Sequence, residues 1–429
     1  MGKWKGMAVV AAVVVVAAAG LLGALAGPSA EKPAKEEPKS AKEEPKSTTT
    51  WAPAVKPKPL SEKVNKGLDF LVKSQLKSGA WGQGEESQQM GLGATLKDTP
   101  SVADTSVCTL ALIRAGSTPK AGPHAANVVK AIEFLCSEIE ESDASSLFIT
   151  KTRGTRVQSK LGQYVDTFMS AMVLAEVKGQ MADANGNKRV LAALDKVMDK
   201  IEKNQKSDGT WANDGWAPTL NQAMAAKALN RAAQGGADVD EKVRAKAEQY
   251  AQGQFNGSTG DFKSEGSAGV KLYAGAASLG AIQDSANTNS AKRAEFKDKA
   301  VNGKTEAERQ QAKAQLDRFD KNDEALKSAQ GAIVKNLEDE RFIKGFGSNG
   351  GEEFLSYMNI GESLVVKGGP EWEKWDKSIA ENLNRVQNAD GSWSGHHCIT
   401  GRTFCTAAAL LVLTTDRAPV PVAAKIRKQ

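Results

Sequence analysis

The stretches QLKSGAW (Gln75 to Trp81), QKSDGTW (Gln205 to Trp211) and QNADGSW (Gln387 to Trp393) repeat one pattern, Q-x-x-x-G-x-W, at one spacing. Each follows a run with 3.6-residue apolar periodicity, which places it at the end of an amphipathic helix. The residue types describe a corner. Gly79, Gly209 and Gly391 permit a left-handed helix stop, and the Gln75, Gln205 and Gln387 amides can bind loose carbonyls or the next turn. Trp81, Trp211 and Trp393 cover the junction. The stretches Gln254 to Phe262 and Gly345 to Phe354 read as worn copies. A repeated helix-ending corner calls for helical pairs packed side by side.

The periodicity supplies those pairs. Amphipathic segments fall near 60–75, 124–139, 188–204, 240–253, 323–337 and 371–387. Each precedes a segment richer in Ala, Leu, Met and small residues, near 103–115, 165–177, 219–232, 268–282, 352–366 and 402–415, the composition of a helix buried on more than one side. Aromatics are only 6% of the chain, which suits close helix packing better than a sheet. The expected fold is therefore all-α, an (α/α)6 toroid of six helical hairpins in two concentric rings over residues 60–417, with a charged, exposed helical insertion at 284–322.

Two segments precede that body. Lys3 and Lys5 stand before an uncharged, mostly apolar run, so residues 1–27 read as a signal peptide or membrane anchor, with Ala24-Leu25-Ala26 offering a cleavage site. Either way the lysines stay inside, and the body is expected on the outer (periplasmic or extracellular) side of the cytoplasmic membrane. Residues 28–59, with AKEEPKS twice in tandem, read as a disordered tether reaching roughly 30 to 100 Å. Of the net charge of +6, +2 sits in residues 1–27, +2 in the tether and +3 in residues 416–429, which leaves −1 for residues 60–415. A body so balanced is not expected to bind nucleic acid. The basic tail 418–429 and the tether suit an anionic surface.

The corners resemble the prenyltransferase and squalene-cyclase repeat, the QW motif of terpenoid cyclases and protein prenyltransferases, whose fold is the α/α toroid. The resemblance implies a central cavity for an apolar or isoprenoid-like ligand with a polar end. The residues that carry chemistry in that family are not matched. The nearest string to the cyclase acid motif D-x-D-D is Asp238-Val239-Asp240-Glu241, which reads as a helix cap. D-D-x-x-D is absent, and none of Cys108, Cys136, Cys398 and Cys405 has the Asp two positions earlier that the prenyltransferase zinc site requires.

The loop after the third corner holds the remaining candidates. His396, His397 and Cys398 are expected either as zinc ligands or as a thiol with its base, with Arg402 gripping an anion; the competing reading makes them structural. Asp104 and Asp166, at matching helix starts, are expected to face the same mouth and to serve as N-caps. Glu352, Ser356, Asn359 and Ser363 form one polar stripe, with Glu353 and Tyr357 beside it, expected to line the cavity. Cys108 and Cys405 are expected to meet where the ring closes, as a disulfide or beside a metal. Three functions stay open: an enzyme or binder of the cyclase and prenyltransferase class, a non-catalytic cell-envelope interaction module whose protein partner the sequence does not name, and a glycan-processing α/α barrel using these carboxylates.

Overall fold

The computed structural model describes residues 51–86, 96–212, 214–347 and 349–422. Among them no helix is long and apolar enough to cross a membrane, and the apolar run 7–27 lies outside the described residues. The described chain is mostly helical. In order its helices are α1 (Glu62–Ser74), α2 (Val102–Arg114), α3 (Ala125–Glu141), α4 (Arg156–Leu161), α5 (Val165–Val177), α6 (Ala184–Lys203) and α7 (Pro218–Gln234). They continue with α8 (Glu241–Gly253), α9 (Lys271–Asn302), α10 (Glu306–Asn336), α11 (Glu340–Ile343), α12 (Gly351–Lys367), α13 (Pro370–Arg385) and α14 (Arg402–Leu413).

Local chemistry starts these helices where the sequence signals it. Ser61, Asp183 and Thr305 accept hydrogen bonds from the first-turn N–H groups of α1, α6 and α10, and prolines open α7 and α13. Two populations of helix result. In α1, α6 and α13 one stripe is buried, for example Val190, Leu194, Val197 and Ile201 of α6. In α2, α5, α7, α12 and α14 nearly every residue is buried.

The buried helices follow one another in space: α2 packs on α5, α5 on α7, α7 on α9, α9 on α12, α12 on α14, and α14 back on α2. The amphipathic helices cover them, α1 on α14, α3 on α2, α6 on α5, α8 and α10 on α9, and α13 on α12.

The corners are built alike to a few tenths of an ångström. The Trp81, Trp211 and Trp393 indole N–H groups each donate to a carbonyl ten residues earlier, of Leu71, Ile201 and Leu383, at 2.8 Å. Each Gln amide donates twice. Gln75 reaches Gly79 O (2.8 Å) and Asn127 O of α3 (3.0 Å); Gln205 reaches Gly209 O (3.2 Å) and Val243 O of α8 (2.9 Å). Gln387 reaches Gly391 O (2.9 Å) and Lys63 O of α1 (2.8 Å), so the last corner grips the first helix. The glycines do not stop the helices, as the sequence suggested, but close a turn beyond them, with φ of +86°, +86° and +90°. A Cβ on them would lie 2.5, 2.4 and 2.4 Å from the carbonyl oxygens of Lys130, Lys246 and Lys66.

Two expected boundaries shift. The tether ends earlier than residue 59: strand β1 (Trp51–Pro53) pairs antiparallel with β4 (Pro419–Pro421), a segment expected as a loose tail. A second small ladder, β2 (Phe255–Asn256) with β3 (Asp261–Phe262), closes the worn corner after α8. The charged stretch 284–322 is helical, but it is the far part of α9 and the near part of α10 instead of a separate excursion. Its first residues, Asp284 to Asn289, are buried, because Asn289 bridges Arg244 and Glu248 of α8.

Near the C-terminal ends of the buried helices sits a buried charge hub. Glu362 of α12 accepts from Arg114 of α2 (2.9 Å) and Lys227 of α7 (2.7 Å), Lys227 also meets Asp284 of α9 (2.7 Å), and Arg231 lies 3.9 Å from Glu362. The three surrounding cations hold the Glu362 carboxyl well below the usual range despite its burial. Arg231 also donates to Pro419 O (2.5 Å) and lies over the Trp51 ring, which fixes the β1–β4 ladder against this end.

Replacing Trp393 with Ala is expected to cost about 3–5 kcal/mol in urea unfolding, since its side chain is fully buried. A loss below about 1 kcal/mol would remove the corner's structural role. Glu362→Gln is expected to cost about 3–5 kcal/mol by leaving buried cations uncompensated, and unchanged stability would show that the hub is solvated.

Candidate functional site

The N-terminal ends of the same helices meet at the opposite end of each, and most of the sequence candidates lie there. Gly350 and Gly351 open α12 without a side-chain cap, and a Cβ on Gly351 would lie 2.7 Å from Ile399. That close approach seats the α12 first turn against the loop 394–401, where Gly351 N–H donates to Ile399 O (3.0 Å). Glu352 and Glu353 therefore enter the interior side by side, both with no exposed surface.

Their partners come from three elements. Glu352 Oε2 accepts from Ile399 N–H (3.2 Å). Glu353 Oε1 accepts from the Tyr273 hydroxyl of α9 and from Phe346 N–H (3.0 Å), and Glu353 Oε2 lies 3.3 Å from His397 Nε2. Phe346, 55% exposed, meets His397 and Trp216 edge-on, each at 5.1 Å between centroids, and Trp216 meets Tyr273 at 6.1 Å. An exposed aromatic thus roofs a buried acid and a half-buried imidazole.

Burial pushes Glu352 up to about 8, and the Glu353 carboxylate pushes the same way. Burial also raises Glu353, opposed by His397 and by the Tyr273 hydrogen bond. Tyr273 itself is held far above the usual phenol range by burial and by Glu353. Cys398 has a left-handed backbone (φ +55°), uncommon for a residue with a side chain, and its thiol is pushed up to about 12 by burial and by Glu352.

Asp104 and Asp166 also lie at this end, though neither caps its own helix. Ser101 caps α2 and leaves Asp104 in the first turn. Asp166 caps a neighbour: its Oδ1 accepts from Ala103 N–H at the start of α2 (2.9 Å), and its Oδ2 from Gln158 Nε2 (2.7 Å). Burial raises Asp104 to about 7, only partly offset by the Ser101 hydroxyl and increased by Asp166. Burial raises Asp166 to about 6 against its two hydrogen bonds.

No family model matches this sequence, and no curated protein matches it. A solved structure described as a novel alpha-amylase from Clostridium perfringens is similar with a TM-score of 0.46 at 10% identity, covering 82% of this chain and 97% of that one. A likeness at that level carries no argument about fold or activity.

The remaining candidates separate from this cluster. His396 is exposed, tied through its N–H to Asn349 O (2.8 Å), and borders an open groove of about 590 Å³ with Trp375 and Arg385. Where the sequence grouped His396, His397 and Cys398, the ligand-type atoms that converge among the described residues are those of Glu352, Glu353 and His397. Arg402 pairs with Asp390 of the third corner (2.9 Å) and not with an interior group. All four cysteines are free and buried, so the expected Cys108–Cys405 bond is not formed; the Cys405 thiol donates to Ile399 O (3.3 Å).

The polar stripe is buried between helices and does not border open space. Ser356 donates to Glu352 O (2.8 Å), Asn359 packs against Gly280 of α9, and Ser363 bonds Gln283 (3.2 Å). Tyr357 is buried as well, donating to Ile343 O (2.7 Å). In the D-V-D-E string, Asp240 and not Asp238 caps α8, and Glu241 pairs with Arg244.

Tyr273, Trp216 and Phe346 were missed because single aromatics in or before a helix carry no spacing signal. The glycines around Phe346 do carry one: a Cβ on Gly345 would lie 2.6 Å from Glu353 Oε1, and one on Gly350 3.0 Å from Glu353 Oε2.

A carboxyl raised on folding binds more protons in the native state, so its burial costs nothing below the unfolded value and increasingly more as pH rises towards the folded one. Asp104→Asn is therefore expected to leave stability at pH 4 nearly unchanged and to raise it by on the order of 2 kcal/mol at pH 8. Asp166→Asn, which weakens a cap across helices, should lose about 1 kcal/mol or more at both. Parallel denaturation curves for wild type and Asp104→Asn at the two pH values would refute the assignment.

Proposed function

We propose that this chain is an (α/α)6 toroid of the prenyltransferase and squalene-cyclase repeat kind, and that the N-terminal ends of its inner helices form the mouth of a site for an apolar, isoprenoid-like molecule with a polar end. The cyclic packing order of α2, α5, α7, α9, α12 and α14 supports the toroid, as does the grip of Gln387 on α1. The observation that carries the ligand reading is Phe346, an exposed aromatic braced edge-on by Trp216 and His397 directly over buried Glu353. Large exposed aromatics held rigidly mark contact surfaces for apolar groups. The polar end of such a ligand would face Glu353, His397 and Lys160, whose ammonium lies 6.0 Å from the Trp216 ring.

Export belongs to the same proposal. It rests on Lys3, Lys5 and the apolar run that follows them, and it puts the body on the outer side of the cytoplasmic membrane with residues 28–50 as its tether.

Titration of the full chain with isoprenoid alcohols and diphosphates of increasing chain length, followed by calorimetry, is expected to give saturable binding. Phe346→Ala should weaken it by roughly tenfold, about 1.4 kcal/mol. The melting temperature should barely move, because the ring is more than half exposed. Equal affinity in wild type and Phe346→Ala, or no binding across the series, would overturn the reading.

A further inference from the structure

Glu352, Glu353 and His397 each offer a ligand atom, and these atoms lie within 4.8 Å of one another. The two carboxyls are held in the same way. One oxygen of each is engaged by a fixed donor: Glu352 Oε2 by Ile399 N–H, and Glu353 Oε1 by the Tyr273 hydroxyl and Phe346 N–H. Of the other two oxygens, Glu353 Oε2 faces His397 Nε2 at 3.3 Å, while Glu352 Oε1 is fully buried and accepts no hydrogen bond. A buried carboxylate oxygen left bare is costly, and more so beside a second buried carboxyl. Something absent from the protein's own hydrogen-bonding groups is therefore called for between them.

We infer that Glu352, Glu353 and His397 are the protein ligands of a divalent first-row transition metal ion. Charge agrees with this assignment, since two carboxylates balance a divalent cation while neutral imidazole supplies the third donor. The donor types agree as well: one nitrogen and two oxygens suit Zn²⁺ and its neighbours, and three protein ligands leave a coordination position open for a ligand's polar end. Tyr273, Ile399 N–H and Phe346 N–H then act as the outer partners that orient the ligating carboxylates. The backbone is shaped for it, because Gly350 lies where a Cβ would come within 3.0 Å of both Glu353 Oε2 and His397 Cε1.

The site differs in kind from the D-x-C and His zinc set that the repeat resemblance would bring. Among the described residues no thiol is among the converging atoms. The assignment goes beyond the proposed ligand and does not require it. A chain that binds metal but no isoprenoid refutes only the earlier reading, and the converse refutes only this one.

The test is Zn²⁺ titration of the full chain after chelator treatment, with metal analysis and melting curves. Wild type is expected to take up a single equivalent and to melt higher when loaded. Glu353→Gln and His397→Ala should each weaken uptake by roughly 100-fold or more and abolish the thermal shift, whereas His396→Ala should match wild type. Zinc-edge X-ray absorption on the loaded wild-type chain decides independently of whether any variant folds: nitrogen and oxygen neighbours near about 2.0–2.1 Å are expected, with no sulfur near about 2.3 Å. A sulfur shell, wild-type uptake in folded Glu353→Gln and His397→Ala, loss of uptake in His396→Ala, or only weak, non-stoichiometric zinc would each overturn it.

Discussion

One side-chain amide, used three times, governs how this chain packs. A glutamine at the end of an amphipathic helix donates one N–H to the glycine carbonyl of its own turn and the other to the first turn of the next amphipathic helix. The first bond closes the corner's own turn and the second reaches a carbonyl in the first turn of the next helix, so one side chain ties two elements together. Glycine lets the turn lie directly on the neighbouring helix, and the tryptophan below pins the helix just completed. Spacing between successive helices is thus fixed by hydrogen-bond lengths as well as by apolar packing.

Polarity divides between the ends of the buried helices. The C-terminal ends gather cations around Glu362, where the helix termini themselves favour positive charge. The N-terminal ends gather acids, Asp104, Asp166, Glu352 and Glu353, where free N–H groups favour negative charge. Complete burial outweighs that help, which is why these carboxyls are raised and Glu362, ringed by cations, is lowered. The N-terminal end is the one where charge is least compensated by the protein's own groups.

The corners were readable because their local bonds lie within one short stretch: Gln75 to Gly79 O and Trp81 to Leu71 O follow from the repeated spacing, while the partners on the next helix, Asn127 and Lys130, are found only in space. Helix positions followed from periodicity, except where α9 and α10 run on through a polar stretch whose buried Asp284 and Asn289 find their partners in space, on α7 and α8. The same limit governed the site. His397, Glu352 and Glu353 were all singled out, but in separate groupings, because a loop and a helix start 44 residues apart in sequence are brought together by contacts such as Gly351 to Ile399 that the sequence does not signal. Asp166 showed the reverse error: a residue with the right type for a local cap serves a helix 63 residues away.

The bond from Gln387 to Lys63 spans 324 residues. During synthesis at about 5 to 20 residues per second, α1 waits roughly 15 to 65 s for the glutamine that ties it to the last corner to be made. Through that interval Val64, Leu68 and Leu71 of α1 have no α14 to cover them. A nascent chain of this design carries an uncovered apolar stripe near its beginning until its final helix emerges, and its hazard of misassociation is set by translation time more than by the stability of the finished fold.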